Sequence, residues 1–188
     1  MTPYVVPTYP VVKHKLAGTE KWAELANKYS EGALWNNGTW GMRDVRGKPG
    51  QISNHARGVA MDLSWRRIEP RGLGVSDGRR KTITFLQKCL DNWQMLGIQC
   101  VLDYFPQSHG RGWRCDRVGN GIVKPHAFEA WVKYAQPTFT GAPGGDWLHI
   151  EISRKMADDP GAVAKAFQAV FTTPAPVSYT HLTLPTKA

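Results

Sequence analysis

Ser53-Asn54-His55-Ala56-Arg57-Gly58-Val59-Ala60-Met61-Asp62 sets an imidazole and a carboxylate seven residues apart, at the entry to a run that alternates like a strand. Val59, Met61, Leu63 and Trp65 fall on one face of that run, and Ala60, Asp62 and Ser64 on the other. Asp62 therefore points away from the apolar face, beside residues small enough to leave room for a ligand. Gly58 and Ala60 keep the backbone approachable, and Ser53 is suited to fixing the turn from which His55 projects. A histidine and an aspartate held in this way make two ligands of a zinc site. A catalytic zinc takes three protein ligands and keeps one position open.

The third ligand lies far along the chain. Asp146-Trp147-Leu148-His149-Ile150-Glu151-Ile152 again reads as a strand, after the loop Gly141-Ala142-Pro143-Gly144-Gly145. Leu148, Ile150 and Ile152 form its apolar face, and Trp147, His149 and Glu151 the other. His149 completes a His/Asp/His set for Zn2+. Asp146, three residues earlier at the strand mouth, is placed to hydrogen-bond a water and serve as general base. Glu151 is suited to orienting His149 from behind, or to pairing with an arginine.

The pattern S-x-H-x-x-G-x-A-x-D, followed much later by (D/E)-x-x-H, resembles the zinc D-Ala-D-Ala carboxypeptidase and phage L-alanyl-D-glutamate endolysin family. All five fixed positions of the first motif are present, as Ser53, His55, Gly58, Ala60 and Asp62. From average residue usage, a chance match in a chain this long is roughly one in ten thousand. The second motif is short, and its Asp146 is closer to the phage endopeptidase branch than to the dipeptidase branch. The resemblance spans residues 20 to 155, with only the two motifs specific. It implies an α+β fold shared with the hedgehog signalling domain, a small antiparallel sheet carrying the zinc site with helices flanking it. It also implies metallopeptidase activity on the stem peptide of peptidoglycan, in the bacterial cell wall. Trp40-Gly41-Met42-Arg43-Asp44-Val45-Arg46-Gly47 is similar to the family's arginine-bearing strand before the first zinc motif. Arg43 is then a cation for the substrate carbonyl or carboxylate, or a surface partner of Asp44 or another acid.

The rest of the composition reads as one ordinary soluble globular domain. The chain has 188 residues, 41% hydrophobic and 21% charged, and no apolar run approaches the length of a membrane span. Its N-terminus lacks the basic and apolar regions of a secretory signal. The implied route to the cell wall is synthesis in the host cytoplasm and release through a phage holin. The formal charge of +9 implies an anionic partner, generically nucleic acid, and the resemblance implies anionic wall polymers such as teichoic acids equally well. Short basic clusters at Arg66-Arg67 and Arg79-Arg80-Lys81 form no recognition helix, so no nucleic-acid role is expected. A monomer is expected. Cys89, Cys100 and Cys115 show no C-x-x-C spacing, which disfavours a zinc ribbon. They read as buried thiols, with a Cys100–Cys115 disulfide as the alternative.

Residues 1 to 18 read as an extended arm, and Thr19 to Tyr29 as a helix with Trp22, Leu25, Ala26 and Tyr29 on one stripe and Gly32 beyond its end. Trp35 to Ile52 reads as loop or short strands. A second helix is expected from Gly78 to Leu96, burying Ile83, Leu86, Leu90 and Trp93 and closed by Gly97. Ile98 to Phe105 reads as a strand and Pro106 to Lys124 as a long loop, in which Trp113 either stacks on substrate or plugs the core. His109 and His126 are competitors for the metal, but each reads better as an exposed or hydrogen-bonded loop histidine. Pro125 to Tyr134 reads as a short helix burying Phe128, Trp131 and Val132. After Asp159-Pro160, an N-cap and N1 pair, Val163, Phe167 and Val170 mark a last helix.

The domain is expected to occupy residues 1–176. Val177 to Ala188 reads as the translated adapter of a sequencing library, which removes His181 from the candidate ligands and leaves open a lost C-terminal extension or cell-wall-binding domain. Two functions follow. One is a zinc peptidase using Asp146 as base, and the other is a non-catalytic, zinc-containing cell-wall-binding module of the same fold.

Overall fold

Alternation in the quoted stretch decides which way its strand faces. The computed structural model describes residues 9–45, 48–65, 74–106, 110–118, 122–124, 132–133 and 145–172. In β4 (Ala60–Ser64), Met61 and Leu63 are fully buried, as are Val59 and Trp65 at its ends, while Asp62 is half-buried on the other face. β4 runs antiparallel to β1 (Trp35–Gly38) on one side and β10 (Trp147–Ile152) on the other. Beyond β10 come β5 (Ile98–Asp103), β6 (Arg111–Arg114) and β9 (Val132–Lys133), giving a six-stranded antiparallel sheet in the order β1-β4-β10-β5-β6-β9. Two small hairpins stand apart from it, β2 (Asp44–Val45) with β3 (Lys48–Ile52) and β7 (Asp116–Val118) with β8 (Ile122–Lys124).

The apolar face of this sheet and the stripes of the helices form one core. α1 (Ala17–Tyr29) buries Trp22, Leu25 and Ala26, and α4 (Pro160–Thr172) buries Val163, Phe167 and Val170. Trp22 meets Phe167 edge-on at 5.0 Å and donates its indole N–H to the Leu96 carbonyl at 3.2 Å. Full burial of one such side chain is worth about 1.5–3 kcal/mol, against about 0–1 kcal/mol for an exposed ion pair. The core, not surface pairs such as Lys21–Glu24, therefore sets the fold. The architecture is α+β, a small antiparallel sheet with flanking helices.

α2 (Gly74–Asp91) starts and stops earlier than its apolar spacing predicts. Phe85, Leu86, Cys89 and Leu90 carry its core contacts, whereas Ile83 and Trp93 are only half-buried. A turn follows, closed by Gly97 at φ +66°, where an added Cβ would lie 2.4 Å from Met156 Cγ. A short α3 (Arg154–Asp158), capped by Ser153, precedes α4 and is not evident from periodicity. Asp159 caps α4 as its sequence predicts, its Oδ1 accepting from the Gly161 and Ala162 N–H groups at 2.9 Å.

The stretch expected to be a loop, 106 to 124, instead contains β6, β7 and β8. Arg-Gly-Trp-Arg is too short and polar to read as a strand alone, yet β5 supplies its ladder and Trp113 is buried against Trp93 at 5.5 Å. Trp113 is thus a core plug. Within the predicted helix from Pro125 to Tyr134, Val132 and Lys133 form strand β9; Phe128 and Trp131 lie outside the described residues, as do Arg66, Arg67, His109, His126 and everything after Thr172. The three cysteines are buried thiols outside any disulfide. Cys100 stands opposite Arg114, so Cys115 falls on the other side of the pleat, which disfavours a disulfide between them. The basic cluster on α2 is engaged internally: Arg79 grips the buried Asp103 through two bonds at 2.8 and 2.7 Å, Arg80 pairs with Asp77, and Lys81 with Glu31.

Candidate metal centre

The apolar-in rule that buries Met61 and Leu63 turns Asp62 onto the opposite face of the sheet, and the same rule does so for His149 on β10. The register then sets Asp62 directly opposite His149 on neighbouring strands. His55 reaches them from the turn before β4. That turn is held by Ser53, whose Oγ accepts the His55 N–H at 3.3 Å and whose carbonyl accepts the Ala56 N–H at 3.1 Å. Gly58 closes it at φ +71°, where a Cβ would sit 2.7 Å from Leu16. The N-terminal arm packs on this turn, with the Val12 N–H donating to the Ala56 carbonyl at 2.9 Å.

One ligand atom from each of the three side chains meets at a point. His55 Nε2 lies 3.3 Å from Asp62 Oδ1, His149 Nδ1 lies 3.0 Å from that same oxygen, and the two nitrogens are 3.3 Å apart. Ligand atoms about 2.0–2.2 Å from a tetrahedral zinc are separated by about 3.3–3.6 Å. The observed triangle matches one face of that tetrahedron to within a few tenths of an ångström. In the metal-free protein, hydrogen bonds from the imidazoles to Asp62 Oδ1, which can accept more than one N–H, hold the same three atoms together. Around a cation, all three atoms present lone pairs instead.

The surroundings orient these atoms. Glu151 Oε1 lies 3.1 Å from His149 Nε2, which leaves Nδ1 turned to the cluster, and Asn54 Nδ2 donates to the same Glu151 oxygen at 2.8 Å. Glu151 thus stands where a carboxylate that orients His149 from behind would stand. Asn54 is missed by the sequence reading because it occupies a variable position of the motif; a polar residue beside His55 in a buried turn was its only signal. Arg43 Nη2 binds Asp62 Oδ2 at 3.1 Å, so its acidic partner is Asp62, while Asp44 Oδ2 accepts from Gly50 N–H at 2.8 Å. Replacing Glu151 with Gln is expected to weaken zinc affinity about 10- to 100-fold without loss of fold. Competition with a chelator measures this, and unchanged affinity would reduce Glu151 to a structural partner of Asn54.

Burial and mutual bonding displace the acid–base equilibria of all three groups. Burial depresses the His55 imidazole and outweighs its bond to Asp62. Burial also works against a charged His149, but bonds to Asp62 and Glu151 prevail and push it up to about 9. Burial opposes the Asp62 carboxylate as well, yet the two histidines hold it well below the usual carboxylate range. A proton thus occupies His149 near neutral pH in the metal-free protein, and a metal must displace it.

Asp146 is not one of the converging groups. It lies half-buried in the bend before β10, and its carbonyl accepts the Trp65 N–H at 3.0 Å. Among the described residues its carboxylate makes no hydrogen bond. His55, Asp62 and His149 are the metal-capable group of the described residues. No family model matches the chain, and neither a curated protein nor a solved structure matches it.

Proposed function

We propose that this chain is a zinc-dependent peptidoglycan peptidase of the hedgehog-like fold, hydrolysing an amide bond in the stem peptide of the bacterial cell wall. The reading is supported by the convergence of His55 Nε2, Asp62 Oδ1 and His149 Nδ1 from two distant segments, together with the motif resemblance of those segments. A zinc ion there supplies a Lewis acid for the substrate carbonyl and lowers the pKa of water. His55, Asp62 and His149 hold it, and Glu151 fixes the His149 ring. Asp146 accepts the proton of the attacking water and returns it to the leaving amine. Arg43 spends one of its five N–H donors on Asp62, and its side chain is 57% exposed, so others remain for the developing oxyanion. Among the described residues no helix is long and apolar enough to cross a membrane, and the net charge of +9 favours adsorption to an anionic wall.

One observation favours a second reading, a non-catalytic zinc-containing wall-binding module of the same fold: the Asp146 carboxylate bonds to none of the three ligands. Release of new amino groups from purified peptidoglycan decides between them. The peptidase reading expects release that stops when a chelator removes zinc and returns on its addition. Wall binding without release would establish the module instead.

Competition between proton and metal gives a second expected result. Zinc affinity rises with pH until His149 loses its proton near 9, and uptake near pH 7 releases about one proton. Calorimetry in buffers of different ionisation enthalpy counts that proton. A count near zero would mean that Nδ1 has none to lose.

A further inference from the structure

The sheet face that carries the metal triangle also carries a row of aromatic side chains. Trp35 on β1 and Trp147 on β10 both stand directly opposite Ser64 on β4, so the three form one line across neighbouring strands. Residues directly opposite on antiparallel strands share a face. Ser64 is two residues from Asp62, and Trp147 two from His149, so this line lies on the face of the metal ligands. Tyr104, just past the end of β5, extends it, its ring 5.1 Å from that of Trp147 and tilted by 34°. Trp35 is 43% exposed, and Trp147 and Tyr104 are partly so. Asn37 Nδ2 donates to Ser64 Oγ at 2.9 Å and fixes the polar floor between the tryptophans. Two residues of strand separate this row from the metal row, about 6.6 Å.

Such a row beside the metal triangle does not match a peptide made of small and acidic residues. Alanine and glutamate, the residues named in the resemblance, have no flat apolar surface to lay on an indole. A pyranose does: its axial C–H groups form an apolar face, ringed by hydroxyls and amides that stay in water. We propose that Trp147, Trp35 and Tyr104 form a platform for an amino-sugar ring of the glycan strand. This deepens the peptidase reading and rests on it for the substrate, but the platform's sugar binding can be measured without turnover.

The test uses the full chain as purified and the N-acetylglucosaminyl–N-acetylmuramic acid disaccharide, which carries no peptide bond to cut. Calorimetry and tryptophan fluorescence follow its binding. Trp147→Ala is expected to weaken binding by roughly tenfold or more, and Trp35→Ala to weaken it in the same direction. In hydrolysis, the same variants should raise KM for a disaccharide–tetrapeptide by a larger factor than KM for the free tetrapeptide. If Trp147→Ala does not fold, the edge variant Trp35→Ala carries the test. No binding of the disaccharide, or binding unchanged in the folded variants, overturns the platform. Disaccharide binding lost in the variants, with no hydrolysis of any muropeptide by the intact chain, would uphold the platform and overturn the peptidase reading.

Discussion

Asp146→Asn is expected to lower peptidoglycan hydrolysis by about 100- to 10,000-fold while leaving zinc content and fold intact. The amide keeps the size of the side chain and can still hydrogen-bond water, but it cannot take the water's proton. Asp146 lies in the bend that opens the strand of His149, three residues before it, and the base role is one reading of that place. Its competitor is a turn residue after Gly145, and asparagine serves a turn as well as aspartate does. The two roles therefore predict opposite results from one substitution. Rates of amino-group release, set beside zinc stoichiometry, distinguish them, and near wild-type turnover in Asp146→Asn would leave the mechanism without its base.

His149→Ala should instead lose metal and activity together. His149 Nδ1 is one corner of the ligand triangle, and its removal leaves two protein ligands where three are needed. The loss of zinc affinity should exceed the roughly 10- to 100-fold typical of an outer partner such as Glu151. It also strips Glu151 and Asp62 of a hydrogen-bonding partner, so the melting temperature of metal-free protein is the control for fold. Zinc bound at full stoichiometry by a folded His149→Ala protein would remove this residue from the ligand set.

Much of this site is legible in sequence because a strand has a period of two. Burying Met61 and Leu63 forces Asp62 outward, and burying Leu148 and Ile150 does the same for His149. The sequence could not supply register, since nothing local says that Asp62 faces His149 rather than Trp147. Register also hid the tryptophan row, which exists because Trp35 and Trp147 meet the same residue of β4. Side-chain partners were the other gap. Arg43 reaches Asp62 across 19 positions rather than its neighbour Asp44, and Asn54 acts through Glu151 at a separation of 97. The strands between Arg111 and Lys124 escaped because their ladders come from pairing, not from apolar alternation. α2 was misplaced because its core stripe is Phe85, Leu86, Cys89 and Leu90, which shifts the helix relative to a stripe drawn through Ile83 and Trp93.

X-ray absorption at the zinc edge of the reconstituted chain tests the proposed metal site most directly. The expected spectrum reports about one zinc per chain, with two imidazole nitrogens and a carboxylate oxygen at about 2.0–2.2 Å. Sulfur at about 2.3 Å, from Cys89, Cys100 or Cys115, or zinc far below one per chain, would contradict a centre built by His55, Asp62 and His149.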